Sequence, residues 1–132
     1  MLKPGVVERR LVGRILERIE GEGLSIVGLK VVKLGREEAE RLYEVHKGKP
    51  FFRELVDYVA SGPVVAAVFE GADAVKTVRK ICGETDPSKA GVGTIRGDFG
   101  VSVTRNAIHA ADSAESAEME IALFFGSHEL VS

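Results

Sequence analysis

The run Val64-Val-Ala-Ala-Val-Phe69 is six successive apolar residues with no polar alternation. A strand with one wet face alternates apolar and polar side chains, so this run predicts a strand covered on both faces. Packed elements must then lie above and below it, and the flanking patterns supply them. Leu11, Val12, Ile15, Leu16 and Ile19 fall at helical spacing within Arg9 to Glu20, with Gly21 and Gly23 as stop signals. Ser25 to Lys33 is rich in β-branched residues and bounded by glycines, which predicts a second strand. Arg36 to His46 and Phe52 to Ala60 read as short helices around the turn-prone Lys47-Gly-Lys-Pro50, and Ala72 to Ile81 returns to helical spacing.

Regular patterning stops from Gly83 to Gly100, a stretch holding five glycines with Pro87, Arg96 and Asp98. A loop of that length inside a compact domain is uncommon and often functional. A short strand around Ala107 to Ala110 and a helix from about Ser113 to Phe125 close the chain, with Asp112 and Glu115 as a capping pattern. Strands separated by helices predict an α/β (α+β) sandwich of the ferredoxin-like split βαβ type. The expected sheet is antiparallel and four-stranded, with helices packed on it. Only a shortened stub of first strand fits before the first helix.

At 132 residues the chain reads as a single domain, 1–132. Its formal charge of -2 supplies no basic field for nucleic acid or an anionic membrane. Cys82 is the only cysteine, so an intramolecular disulfide is impossible, and its place beside Val75, Val78 and Ile81 predicts burial. No apolar run approaches a membrane span and no signal-peptide pattern precedes the first helix, so a cytoplasmic location is expected.

The chemistry gathers around the irregular stretch. Arg79, Arg96 and Arg105 bracket it, and Thr85 and Thr94 lie within it. Guanidinium forks and hydroxyls match phosphate oxygens, although arginines are also common as solvated surface residues. The stretch lacks the Gly-Lys-Ser/Thr ending of a P-loop, so a Walker-type cradle is not supported. His109 ends the run Arg105-Asn-Ala-Ile-His109. A neutral imidazole can carry a covalent phosphoryl group, and the competing reading is a histidine hydrogen-bonded at a strand end. Glu120 falls on the inward stripe of the last helix with Ala117 and Phe124, where a carboxylate needs a partner. Paired with one ring nitrogen of His109, it would leave the other free to attack. His46 and His128 read as surface residues, and no histidine spacing points to a protein-bound metal.

Asn106-Ala-Ile-His109, continued by Ala-Ala-Asp-Ser113 and Ser-Ala-Glu-Met-Glu120, resembles the signature of nucleoside diphosphate kinases. Lys47-Gly-Lys-Pro-Phe-Phe52, Ser61-Gly-Pro-Val-Val65, Gly83-Glu-Thr-Asp-Pro87 and Gly93-Thr-Ile-Arg-Gly-Asp-Phe99 extend the resemblance in family order over nearly the whole chain. The resemblance implies ping-pong transfer of a γ-phosphoryl group from a nucleoside triphosphate to a nucleoside diphosphate. His109 would be the nucleophile and Glu120 its orienting partner. Lys3, Tyr43 and Asn106 would surround the transferred group and the sugar hydroxyl. Arg79, Thr85 and Arg96 would hold phosphates, with Arg105 near the site. Phe51 would stack on the base in a slot lined by Leu55 and Val103. Mg2+ would arrive on the nucleotide phosphates, with no direct metal ligand from the protein. A homo-oligomer, hexameric by resemblance, is also implied.

Three departures accompany the resemblance. The chain opens Met1-Leu-Lys-Pro-Gly-Val-Val7 where relatives carry a fuller strand and Lys-Pro-Asp-Gly-Val. Thr104 replaces a glycine before Arg105, and His-Gly-Ser-Asp-Ser becomes His109-Ala-Ala-Asp-Ser113. The hydroxyl absent at Ala111 predicts transfer slower by up to about tenfold. These changes also open a second reading, a weakly active or inactive nucleotide-binding member serving as an assembly or interaction subunit.

Overall fold

The structure is a computed structural model that describes residues 1–131. Its two strands, β1 (Ser25–Val32) and β2 (Val64–Glu70), pair antiparallel from Ser25 opposite Glu70 to Val32 opposite Val64. Adjacent β2 residues point to opposite faces, and both sides are buried. Val64, 0% exposed, enters a core of Leu34, Ala39, Leu42, Tyr43, Leu55, Val56 and Val59. Val65, 2% exposed, enters the other core, with Leu2, Val6, Ile15, Ile19, Cys82, Ile95 and Ile108. The unbroken apolar run therefore reports a strand sandwiched between two layers, as the sequence predicts.

The expected four-stranded sheet is reduced in the structure. Leu2 forms isolated antiparallel bridges to Val65 on one side and Ile108 on the other. The lateral order is therefore Ile108, Leu2, β2, β1, with the outer two positions only one residue long. Pro4 ends the first by opening α1 (Pro4–Glu8). The second cannot lengthen because its backbone is engaged elsewhere. Ile108 N–H turns back to Asn106 O at 3.0 Å, and Ile108 O accepts from Arg96.

The helices follow the apolar stripes with local corrections. The helix expected over Arg9 to Glu20 forms as α2 (Val12–Glu20); α1, which the spacing does not predict, precedes it, and Arg10 in the left-handed region at φ 59 separates the two. Arg36 to His46 divides into α3 (Arg36–Leu42) and a 3-10 turn, Glu44–His46. Next come α4 (Phe52–Val59) and α5 (Ala74–Cys82). The irregular stretch contains one short helix, α6 (Ile95–Phe99), capped by the Thr94 hydroxyl, which accepts from Gly97 N–H at 3.0 Å. The chain then forms α7 (Ala114–Phe124), whose cap is Ser113 rather than Asp112. Cys82 is fully buried, as its pattern predicts. Among the described residues no helix is long and apolar enough to cross a membrane.

Candidate functional site

A cleft of about 640 Å³ opens where α4, α5, α6, the segment 102–112 and the start of the chain meet. Lys3, Tyr43, Arg96 and Asn106 are buried at its floor, whereas Phe51, Arg79, Thr85 and Val103 are exposed at its rim. Leu55 is buried on its wall. His109 and Glu120 lie in the same cleft, half-buried.

Backbone geometry places the histidine. Its N–H donates to Met1 O at 2.8 Å, and the Met1 amino group donates to His109 O at 2.8 Å. Two residues earlier Ala107 sits at φ 77, the centre of a γ-turn closed by Ile108 N–H to Asn106 O. That turn type is rare and strained in an L residue. Lys3 N–H holds it from outside by donating to Ala107 O at 2.9 Å. The turn lets Asn106 and His109 face the same cleft although they lie three positions apart in the sequence.

His109 Nε2 is 2.7 Å from Glu120 Oε1. A carboxylate only accepts, so Nε2 carries the hydrogen and the Nδ1 lone pair is free. Burial lowers the His109 pKa below its ordinary value, and the Glu120 hydrogen bond opposes that shift. The neutral imidazole is therefore the dominant form at pH 7. The Tyr43 ring meets the imidazole edge-on at 5.4 Å.

A cationic, donor-rich floor lies beside the imidazole. Lys3 Nζ donates to Asn106 Oδ1 at 2.7 Å and to Thr104 O at 3.1 Å. Burial, with Arg96 nearby, lowers the Lys3 pKa to about 7. Asn106 Nδ2 donates to Thr85 O at 3.0 Å, which ties the irregular stretch to the floor. Arg96 donates to Gly83 O at 3.0 Å and Ile108 O at 2.9 Å. Gly83 suits that contact because it lies at φ 83, and a Cβ there would come within 2.6 Å of Thr94. Arg79 reaches Ala110 O at 3.3 Å. Two buried donors, the Tyr43 hydroxyl and Arg96 Nε, have no hydrogen-bond partner among the described residues. Buried polar groups are rarely left so, and these two line one cleft.

Of the site residues that the resemblance implies, Arg105 is absent from the cleft wall, and Thr94, named beside Thr85, is absent too because its hydroxyl caps α6. The Arg105 guanidinium lies over the Tyr58 ring, 5.1 Å from the centroid. Two residues read as peripheral line the cleft instead. His46 stands between Tyr43, at 6.3 Å, and Phe51, at 5.2 Å, and its helical offset of three from Tyr43 is the signal that was available. Asp112 reaches the rim and accepts from the Ser116 hydroxyl at 2.7 Å. Thr104 lines the cleft without a left-handed backbone, so the loss of glycine there needs no strained conformation.

The sequence profile of the family described as nucleoside diphosphate kinase matches residues 1–130. A curated nucleoside diphosphate kinase of Ignicoccus hospitalis is 56% identical over 131 residues, covering 99% of this chain and 89% of the relative. The crystal structure of the Aquifex aeolicus nucleoside diphosphate kinase superposes with a TM-score of 0.95 at 47% identity, covering 98% of this chain and 94% of the other. A halophilic nucleoside diphosphate kinase from Halobacterium salinarum in complex with CDP gives the same TM-score and identity, over 99% and 88%.

Proposed function

The chain belongs to the nucleoside diphosphate kinase family, and from that premise we propose that His109 carries the phosphoryl group in transit between nucleotides. The observation that carries this reading is the 2.7 Å contact from His109 Nε2 to Glu120, which leaves Nδ1 free in a cleft floored by cations. The triphosphate enters with its base against Phe51, between Leu55 and Val103, and its phosphates toward Arg79, Thr85 and Arg96. His109 Nδ1 attacks the γ-phosphorus while the bond to the β-phosphate oxygen breaks and the diphosphate leaves. A second diphosphate enters the same cleft; its terminal oxygen attacks the phosphorus and the P–N bond breaks.

Each floor residue has a task in this scheme. Phosphoryl transfer depends on positioning and charge neutralisation more than on covalent machinery. Lys3 and Arg96 neutralise the charge on the moving group. The Tyr43 hydroxyl, whose pKa burial raises, stays protonated and donates to a phosphate or sugar oxygen. Asn106 holds Lys3 and the Thr85 loop together. Arg105 acts from outside the wall.

The donor set fits a magnesium ion that comes with its substrate. Among the described residues no group of three or more His, Cys, Asp or Glu side chains is gathered around one point. The floor offers cations, an amide and a hydroxyl, which suit anions instead. Magnesium would be held by the nucleotide phosphates and not by residues of this chain, and would supply charge neutralisation beside Lys3 and Arg96. The reading also includes a cytoplasmic homo-oligomer, with six copies favoured. Leu29 and Val31, 50% and 65% exposed on β1, offer apolar surface to a second copy, and the native mass in solution tests it.

The deciding experiment is incubation with γ-labelled ATP and magnesium, then a chase with GDP. Acid-labile label on the protein, released as GTP and absent from His109→Ala, is the expected result. A His109→Ala protein that still turns over would sink the assignment. The reading as an inactive assembly subunit is not favoured, because His109, Glu120, Lys3, Arg79 and Arg96 line one cleft and the relatives are nucleoside diphosphate kinases.

A further inference from the structure

Tyr58 is not part of the cleft wall, yet two segments of that wall converge on it. It lies on α4, three residues beyond Leu55, and is half-buried. Its hydroxyl oxygen accepts the Gly5 amide hydrogen at 2.9 Å. Gly5 stands in the first turn of α1, two residues after Lys3. The Arg105 guanidinium lies over the Tyr58 ring. Arg105 is flanked by Thr104 and Asn106, the two residues that receive the Lys3 ammonium. Both ends of the Lys3 contact are therefore attached, through their backbones, to one side chain.

The hydroxyl contact depends on the absence of a side chain at position 5. A Cβ on Gly5 would lie 2.5 Å from the Tyr58 oxygen, nearer than such atoms approach, whereas the next ring atom is 3.9 Å away. Tyrosine and glycine thus fit as a pair. With the hydroxyl removed, an added methyl at position 5 would meet the ring at ordinary contact distance.

We propose that Tyr58 is a positioning residue for phosphoryl transfer, setting Lys3 against Asn106 through Gly5 on one side and Arg105 on the other. This rests on the reading that Lys3 and Asn106 surround the transferred group. Tyr58 touches no substrate, so loss of its hydroxyl slows the chemical step. Nucleotide binding, carried by Phe51, Leu55 and the rim arginines, is left nearly intact.

The test is a double-mutant cycle in the full chain with Tyr58→Phe, Gly5→Ala and both together. Single-turnover labelling of His109 by ATP is read beside the dissociation constant for ADP. Tyr58→Phe should slow labelling by roughly three- to tenfold, the worth of one hydrogen bond, with ADP affinity within about twofold of wild type. Gly5→Ala should slow it at least as much in the wild-type background, yet change it by less than about twofold on top of Tyr58→Phe. Wild-type labelling by Tyr58→Phe overturns the proposal. So do losses that multiply in the double variant, or a matching loss of rate and affinity. If Gly5→Ala does not fold, the near-isosteric Tyr58→Phe still decides through its split between rate and affinity. A wild-type protein that takes no label refutes the kinase reading itself, a result distinct from variants that label as fast as wild type.

Discussion

Glu120 Oε1 and His109 Nε2 are 2.7 Å apart, which leaves Nδ1 as the free imidazole nitrogen and, in the proposed transfer, as the one that attacks. Attack through Nδ1 places positive charge on the ring, and the carboxylate across the Nε2 hydrogen stabilises it. Glu120→Gln keeps an acceptor of the same shape but loses the charge. A hydrogen bond to a charged group contributes about 1.5–3 kcal/mol, so single-turnover labelling should slow by roughly 10- to 150-fold. Because Glu120 raises the His109 pKa against the burial that lowers it, the variant's histidine should titrate at still lower pH. The acid limb of the labelling rate should therefore move downward. An acid limb that stays in place or moves upward would contradict this electrostatic role.

Ala111 lies two residues beyond His109 on the segment leading to Ser113, the cap of α7. Where the family pattern His-Gly-Ser-Asp-Ser has a serine, this chain has an alanine without a hydroxyl, and among the described residues Glu120 hydrogen-bonds His109 alone. Ala111→Ser should restore a donor to that carboxylate and speed phosphoryl transfer by up to about tenfold, the kinetic equivalent of one hydrogen bond. Comparison of single-turnover rates checks it; a slower Ala111→Ser enzyme would mean that the present cavity rejects the hydroxyl.

The two-sided strand was legible because apolar runs report burial directly. Val64 and Val65 belong to opposite cores, and nothing polar interrupts them. The sheet edges were less legible. One ends at Pro4, which sequence reveals, but the other is halted by the γ-turn at Ala107 and by an arginine from a distant helix. Neither has a local pattern. At the site, Lys3, Asn106 and Arg96 were identifiable through family motifs, yet their mutual contacts are long-range. Lys3 and Asn106 are 103 residues apart in sequence and 2.7 Å apart in space. Arg105 was drawn toward the site by its position in a motif, whereas its side chain turns to Tyr58. Direction within a loop depends on packing that periodicity does not encode.

Phe51 is 42% exposed at the cleft rim, with the Lys49 ammonium 5.8 Å and the His46 ring 5.2 Å from its centroid. An aromatic face left this open is available to a flat ligand. Stacking contributes about 1–3 kcal/mol per base and discriminates little among bases. Phe51→Ala should therefore weaken ADP, GDP and CDP alike, by roughly 5- to 150-fold. The single-turnover rate at saturation should change far less. Titration of the three diphosphates checks both, and a loss confined to one base would show that the slot reads base identity.

Lys3 is buried against Arg96, and its pKa is lowered to about 7. In the free enzyme its charge is therefore lost as pH rises through about 7, although an exposed lysine would stay charged past 10. Phosphate oxygens at the floor favour the charged form and raise the pKa again. The profile of kcat/KM, which reports free enzyme, should carry an alkaline limb near pH 7, and the profile of kcat should carry that limb at higher pH. Lys3→Arg should remove the limb from kcat/KM, because guanidinium stays protonated, even if the fork fits the floor poorly and the plateau falls. Folding stability responds with the opposite sign. The unfolded chain holds the Lys3 proton between about pH 7 and the ordinary lysine value while the native state releases it, so this residue's contribution rises with pH across that window. Urea titrations at several pH values should find that upward slope diminished in Lys3→Met. An unchanged slope, together with an alkaline limb that persists in Lys3→Arg, would assign the titration to another group.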